Sequence, residues 1–263
     1  MDNKQSQQIV IRVPAVGNKM LEELLINVNS NVELNTIWRV TNTNAMDRLK
    51  MTDHGPVHFQ IVANIGIKLA RTLIKHKIPM SITKDFGLTD KHAELVVFLG
   101  CILHDLGMSI SREGHEEFSL FLANNMMHEL LSFLSVDERT IVISETLHAI
   151  ISHRKGGTPY TLEAGIVRVA DALDMSKGRS RIPYESGKID IHSVSAAAIE
   201  GIEILEGKAK PILIKINMNN SAGVFQVDEL LKSKLKGSGL EKYMEIYANI
   251  EGEEKKLVEN FTF

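Results

Sequence analysis

Asp90-Lys-His-Ala-Glu-Leu-Val-Val-Phe-Leu-Gly-Cys-Ile-Leu-His-Asp105 is the stretch from which the rest of the chain is best read. Between Leu95 and Leu103 only Gly100 interrupts a run of large apolar side chains and Cys101, so a helix over 90–105 has no polar face. A helix that is apolar all round is buried on every side, which predicts the central helix of a bundle. It ends on two ionisable groups, His104 and Asp105. An unpaired carboxylate there would cost several kcal/mol or lose its charge. A cation relieves that cost, and the negative end of the helix macrodipole favours one. A hydrogen-bonded His–Asp pair is the other solution. Gly107 supplies a turn that lets both side chains converge on one point.

Upstream, His54-Gly-Pro-Val-His58 opens a helix whose stripe is Ile61, Val62, Ile65, Leu69 and Leu73. His58 lies on or beside that stripe. Downstream, Ser135-Val-Asp-Glu138 has the form of a capping box, and Gly156-Gly157 closes the helix it starts. Thr158-Pro159 begins another with proline at its first position. Along it Leu162, Ile166, Val169, Ala170 and Leu173 recur at helical spacing, and Arg168-Val-Ala-Asp171-Ala-Leu-Asp174 puts carboxylates beside that face. Three separate helices thus each offer a His or Asp at the edge of an apolar stripe.

Signals are helical from Met20 to Met175 and change after Ser176, where Gly178, Pro183 and Gly187 mark a break. Ile189–Val194 and Ile202–Ile204 alternate, and Pro211–Met218 reads as a third strand. Asn219–Gly223 is turn chemistry, and a short helix spans Gln226–Lys236, where Lys232, Lys234 and Lys236 form a solvated face. The expected division is a mainly α domain over 1–187 and a small α+β domain over 188–263, a possible assembly module. Before the helices, Ile9, Ile11 and Val13 alternate as in an edge strand or an arm.

Composition narrows the function classes. Among 263 residues, 44% are hydrophobic and 24% charged, ordinary for a globular chain. A net charge of -3 gives no general attraction to nucleic acid or anionic membranes, and 5% aromatics supply little for stacking on bases. The expected partner is therefore a small molecule. Cys101 stands alone inside an apolar run, which suits a buried core side chain. No stretch approaches a membrane span. The polar start MDNKQSQQ lacks the apolar segment of a secretory signal, and the expected location is cytoplasmic.

The order His58 … His104-Asp105 … Asp171 resembles the HD superfamily of metal-dependent phosphohydrolases. Leu103-His-Asp-Leu-Gly107 looks like its central motif, and Ala149-Ile-Ile-Ser-His153 with Glu163 to Asp174 looks like its closing segment. The resemblance covers roughly Thr52 to Arg181. It implies a helical HD-domain bundle with one or two divalent ions held by His58, His104, Asp105 and Asp171, and hydrolysis of a small phosphoester such as a nucleotide. The mixed imidazole and carboxylate set independently suits Mn, Fe, Co, Ni or Zn, and Asp105, with two oxygens, could bridge two ions.

His115 and His153 resemble positions that hold a second ion in binuclear members. His148 precedes His153 by five residues, about 140° around a helix, so it is assigned to substrate or to support of the ligands. His54, Arg154, Lys155, Asp174, Arg179 and Arg181 complete the candidates, the cations for phosphate and Asp174 to orient a ligand. His76, His92, His128 and His192 are expected to be solvated or structural. One departure stands out: many members carry Lys where this chain has Met108. Two rival readings share the residues, a di-iron oxygenase using His58, His104, Asp105, His115, His153 and Asp171, and a non-catalytic nucleotide-sensing module. The strands of the α+β portion make a homo-oligomer the expected assembly.

Overall fold

A computed structural model describes residues 10–154, 156–175, 191–250 and 260–262. The expected architecture, mainly helical with a small C-terminal sheet, is the one observed. Helices α1 (Lys19–Ser30), α2 (Val32–Asn42), α3 (Pro56–Lys75), α4 (Ser81–Phe86), α5 (Asp90–Leu103), α6 (His115–Leu130), α7 (Val136–Ser152) and α8 (Leu162–Leu173) form the bundle. A short α9 (Ile191–Ala197) then leads into β1 (Ile199–Glu206) and β2 (Ile212–Met218), followed by α10 (Lys232–Leu235), β3 (Met244–Ile250) and β4 (Asn260–Thr262).

As its all-apolar face requires, α5 is the axis: every residue from His92 to Leu103 is buried, and α3, α7 and α8 pack around it. Asp90–Ser109 is also long and apolar enough to cross a membrane by length and composition, contrary to the expectation that no stretch would be. With 94% of its most apolar 18 residues buried inside the protein, it occupies the place of a core helix. The Trp38 indole of α2 donates to the Ile102 carbonyl at 3.1 Å, tying α2 to the last turn of α5. The Ser135–Glu138 capping box starts α7 as expected.

Two local expectations change, and one alternative is decided. Pro159 does not open α8; the helix starts at Leu162, because the Thr161 hydroxyl accepts from Ala164 N at 3.2 Å and caps it there. The alternating Ile189–Val194 segment is not a strand over its described part, which is helical from Ile191. Ile9 lies outside the described residues, and among those described the segment around Ile11 is an arm that joins no strand. Its backbone is held instead by side chains, Asn29 bonding both N–H and C=O of Ile11 at 2.8 and 2.9 Å.

The sheet has the order β1-β2-β3-β4, with β2 and β3 parallel and the outer pairs antiparallel. Ile212, Ile214, Ile216 and Met218 alternate inward on β2, as do Met244, Ile246, Ala248 and Ile250 on β3. Parallel neighbours require a crossover, here the helical stretch Gln226–Leu235. The buried apolar side chains of bundle and sheet form one continuous cluster. The proposed boundary at Gly187 lies outside the described residues.

Two contacts fix the crossover on α8. The buried Arg168 guanidinium donates to the carbonyls of Lys234 (3.0 Å) and Ser233 (3.3 Å) on one side and of Ser152 (3.3 Å) and Gly157 on the other. Gly165 lies against the chain at Ser238, where a Cβ would stand 2.0 Å from the Ser238 carbonyl oxygen. Gly165→Ala is therefore expected to destabilise the protein by about 1–3 kcal/mol, the usual cost of overpacking. Urea denaturation measures this, and an unchanged midpoint would contradict the close approach.

Candidate metal centre

Each candidate ligand sits where a helix begins or ends. Asp53 starts α3 by accepting from Gly55 N at 2.8 Å and His58 N at 3.4 Å, which leaves His58 in the first turn with its ring facing inward. His104 is the C-cap of α5, Asp105 follows it, His115 opens α6, and His153 is the C-cap of α7. Asp171 lies in the last turn of α8. The turn at Gly107 brings the start of α6 against the end of α5: a Cβ on Gly107 would lie 2.0 Å from the His115 carbonyl oxygen, so only glycine fits. The Ser119 hydroxyl fastens that turn, donating to His104 O at 2.7 Å and accepting from Gly107 N at 2.8 Å.

These residues meet around Asp105. Its Oδ2 is 3.4 Å from His104 Nε2 and 3.8 Å from His58 Nε2, while Asp171 Oδ1 lies 3.6 Å from His58 Nε2 and 3.7 Å from His104 Nε2. Its Oδ1 points the other way, 3.1 Å from His115 Nε2 and 3.7 Å from His153 Nε2. His58, His104 and Asp171 offer three atoms close enough for one ion, and so do His104, Asp105 and His153.

The orientation of the imidazoles tests whether a metal fits. His104 Nδ1 faces Cys101 O at 2.9 Å, His115 Nδ1 faces Arg112 O at 2.9 Å, and His153 Nδ1 faces Ile150 O at 2.6 Å. His58 Nδ1 faces Asp174 Oδ2 at 2.6 Å. Carbonyl and carboxylate oxygens only accept, so Nδ1 of His58, His104 and His153 carries the proton and their Nε2 atoms turn lone pairs toward one another; His115 Nδ1 also lies 3.0 Å from the Arg112 guanidinium, which only donates. His58 Nε2 and His104 Nε2 stand 3.2 Å apart. Lone pairs so arranged need a cation between them, a proton or a metal, and the donor set fits a divalent transition ion.

Electrostatics agree. Burial works against charge on Asp105, yet His104, His115 and His153 outweigh it and hold the carboxyl well below the usual range. Burial likewise opposes charge on Asp171, but Lys234 and the imidazoles of His104, His153 and His58 depress its pKa. Against burial, Asp105 and Asp171 raise the pKa of His104, and Asp105 and Glu116 raise that of His115. Burial lowers that of His153. Without a metal the neighbouring carboxylates thus favour the protonated forms of His104 and His115.

Other candidates lie elsewhere. His148 does not join this group: its ring stacks on Tyr160 at 4.6 Å and accepts from Tyr160 N at 2.8 Å. His54 is beside the centre, its ring 5.8 Å from that of His58 and its Nδ1 2.7 Å from Thr52 O. Arg154 pairs with Glu117 at 2.6 Å on the surface. Lys155, Arg179 and Arg181 lie outside the described residues, and Met108 is buried. Two residues escaped the sequence reading. Glu116 places a carboxylate oxygen 3.1 Å from His115 Nδ1 and groups with His115 and His153. Lys234, expected on a solvated face, instead reaches Asp171 Oδ2 at 3.4 Å and the His153 carbonyl. Glu116 adjoins a candidate ligand and so was findable; nothing local marked Lys234.

Asp174→Ala leaves His58 Nδ1 without its acceptor and is expected to weaken metal binding about 10–100-fold, as read by competition against a chelator. Wild-type affinity would contradict the orienting role. Because metal competes with protons at His104 and His115, whose pKa values are raised, apparent affinity should be tighter at about pH 8 than at about pH 6, with proton release on binding. Titration calorimetry in buffers of different ionisation enthalpy counts those protons, and a pH-independent affinity would argue against the cluster.

Residues 53–176 match the HD domain model, a span that contains all six of the clustered His and Asp side chains. The chain is also 42% identical over 245 residues to the uncharacterized protein MJ1020 of Methanocaldococcus jannaschii, covering 93% of each. With its buried His and Asp groups converging on one point, the chain belongs to the HD domain family.

Proposed function

We propose that the protein is a metal-dependent phosphohydrolase acting on a nucleotide or another small phosphoester. One observation carries the reading: the two oxygens of Asp105 face two different groups of imidazoles. His58, His104, Asp105 and Asp171 would hold one divalent ion, and His115 and His153 with the second Asp105 oxygen would hold another. Mn, Fe, Co, Ni and Zn suit this nitrogen and oxygen set better than Ca does. Such an ion, when bound, polarises a phosphoryl oxygen and lowers the pKa of a water.

The chain's own residues perform the rest. Asp174 and the carbonyls of Cys101, Arg112 and Ile150 keep each Nε2 turned inward. The walls exclude bulk water: the side chains of His58 and His104 are 0% exposed, whereas that of Asp171 is 18% exposed. An anionic ester would enter on the Asp171 side.

A panel of phosphoesters with Mn, Co and Ni tests this. Metal-stimulated release of phosphate or nucleoside is expected, falling to background in Asp105→Ala. Metal-replete protein inert across the panel would contradict it. The same six side chains, His58, His104, Asp105, His115, His153 and Asp171, would also fill the ligand set of a di-iron oxygenase. Oxygen uptake by iron-loaded protein without phosphoester turnover would favour that reading, and tight nucleotide binding without any product would favour a sensing module.

A further inference from the structure

We propose that Lys234 is an anion-binding residue of the metal centre, supplied by the C-terminal portion of the chain to contact the phosphoryl group of the substrate. The inference rests on the phosphoester reading for the identity of the anion, and on geometry for the residue.

Lys234 is not a loose surface lysine. Arg168, three residues before Asp171 on the same helix, binds the Lys234 and Ser233 carbonyls. The backbone that carries the ammonium is thereby fixed to the helix that carries the candidate ligand. The ammonium donates to the His153 carbonyl and to Asp171 Oδ2 at 3.4 Å, so it sits between the ends of α7 and α8. Asp171 accordingly has Oδ1 toward His58 and His104 and Oδ2 toward Lys234. An ammonium has three N–H donors, and these two bonds use two.

Exposure shows where the ammonium stands relative to solvent. The side chains of His58 and His104 are 0% exposed, those of Asp105 and His153 5%, and that of His115 7%. Lys234 and Asp171 are each 18% exposed. Glu116 is equally open at the His115 end, where the Arg112 guanidinium lies 3.0 Å from His115 Nδ1, but Lys234 is the cation bonded to a candidate ligand carboxylate. An oxyanion reaching the cluster from solvent past Asp171 therefore meets the Lys234 ammonium beside it. A lysine confined to capping the carbonyl end of α7 would need no such place at the mouth.

Full-length protein loaded with Mn is titrated with inorganic phosphate by calorimetry, with metal content measured alongside. Lys234→Met is expected to weaken phosphate binding about tenfold or more, the weight of one charge-assisted hydrogen bond, with metal per chain unchanged. Lys234→Gln, which keeps a donor for the His153 carbonyl, should show the same loss, and Lys234→Arg should recover most of the affinity. Phosphate affinity that is unchanged in both uncharged variants would overturn the proposal. So would loss of metal together with phosphate, which would mean Lys234 acts through Asp171, or absence of phosphate binding in the wild type. Lys234-dependent phosphate binding in a protein that hydrolyses no phosphoester would leave this inference standing and remove the phosphohydrolase reading. Hydrolysis and phosphate binding indifferent to Lys234 would do the reverse.

Discussion

Asp105 is a carboxylate only 4% exposed, set at the end of a helix with no polar face. Charge in such a place is sustained only by compensation close at hand, because the penalty for taking an ion out of water is several kcal/mol even after relaxation. The surrounding structure supplies it. Helices α3, α6 and α7 each bring an imidazole to within 4 Å of one of its two oxygens, and His104 does so from the end of α5 itself. The glycine at 107, the Ser119 hydroxyl and the Asp53 carboxylate, which accepts from Gly55 N and His58 N, serve the same end, since each fixes where one of those helices starts or stops. Helix packing and site chemistry are two aspects of one constraint.

Three of the imidazoles are oriented by the same device. His104, His115 and His153 each turn Nδ1 to the carbonyl three residues earlier, two at helix C-termini and one in the turn that opens α6. Carbonyls at a helix end lack intrahelical partners, so a histidine placed there gains a fixed tautomer while satisfying a backbone group. His58 lies at a helix start, where the carbonyl three residues earlier accepts from Phe59 N, and Asp174, the C-cap of α8, supplies the acceptor instead. That difference explains why the second carboxylate of Asp171-Ala-Leu-Asp174 does not face the cluster centre.

Much of this was legible because the informative residues mark element ends. The unbroken apolar run of α5 identified the axis, and His58, His104-Asp105, His115, His153 and Asp171 stood at turns, caps and stripe edges that sequence patterns reveal. The misreadings have separate causes. Pro159 suits a helix start, but the Thr161 hydroxyl caps α8 later. The alternation from Ile189 to Val194 reads as a strand although its described part is helical. Strand β3 was overlooked even though Met244, Ile246, Ala248 and Ile250 alternate in its sequence. Lys234 was illegible for a different reason. It sits in a Lys-Ser-Lys run 63 residues from Asp171, and the Arg168 clamp and the packing of Gly165 on Ser238 help bring it to the centre.

The claim beneath the whole account is that the two oxygens of one buried carboxylate serve two adjoining cation positions. Anomalous diffraction at the manganese edge, from crystals of the full chain grown with Mn, addresses it directly. The account predicts strong peaks within coordination distance of Asp105, one against His58, His104 and Asp171 and one against His115 and His153. Peaks confined to surface carboxylates, with the four imidazoles closed on one another and no density between them, would contradict it.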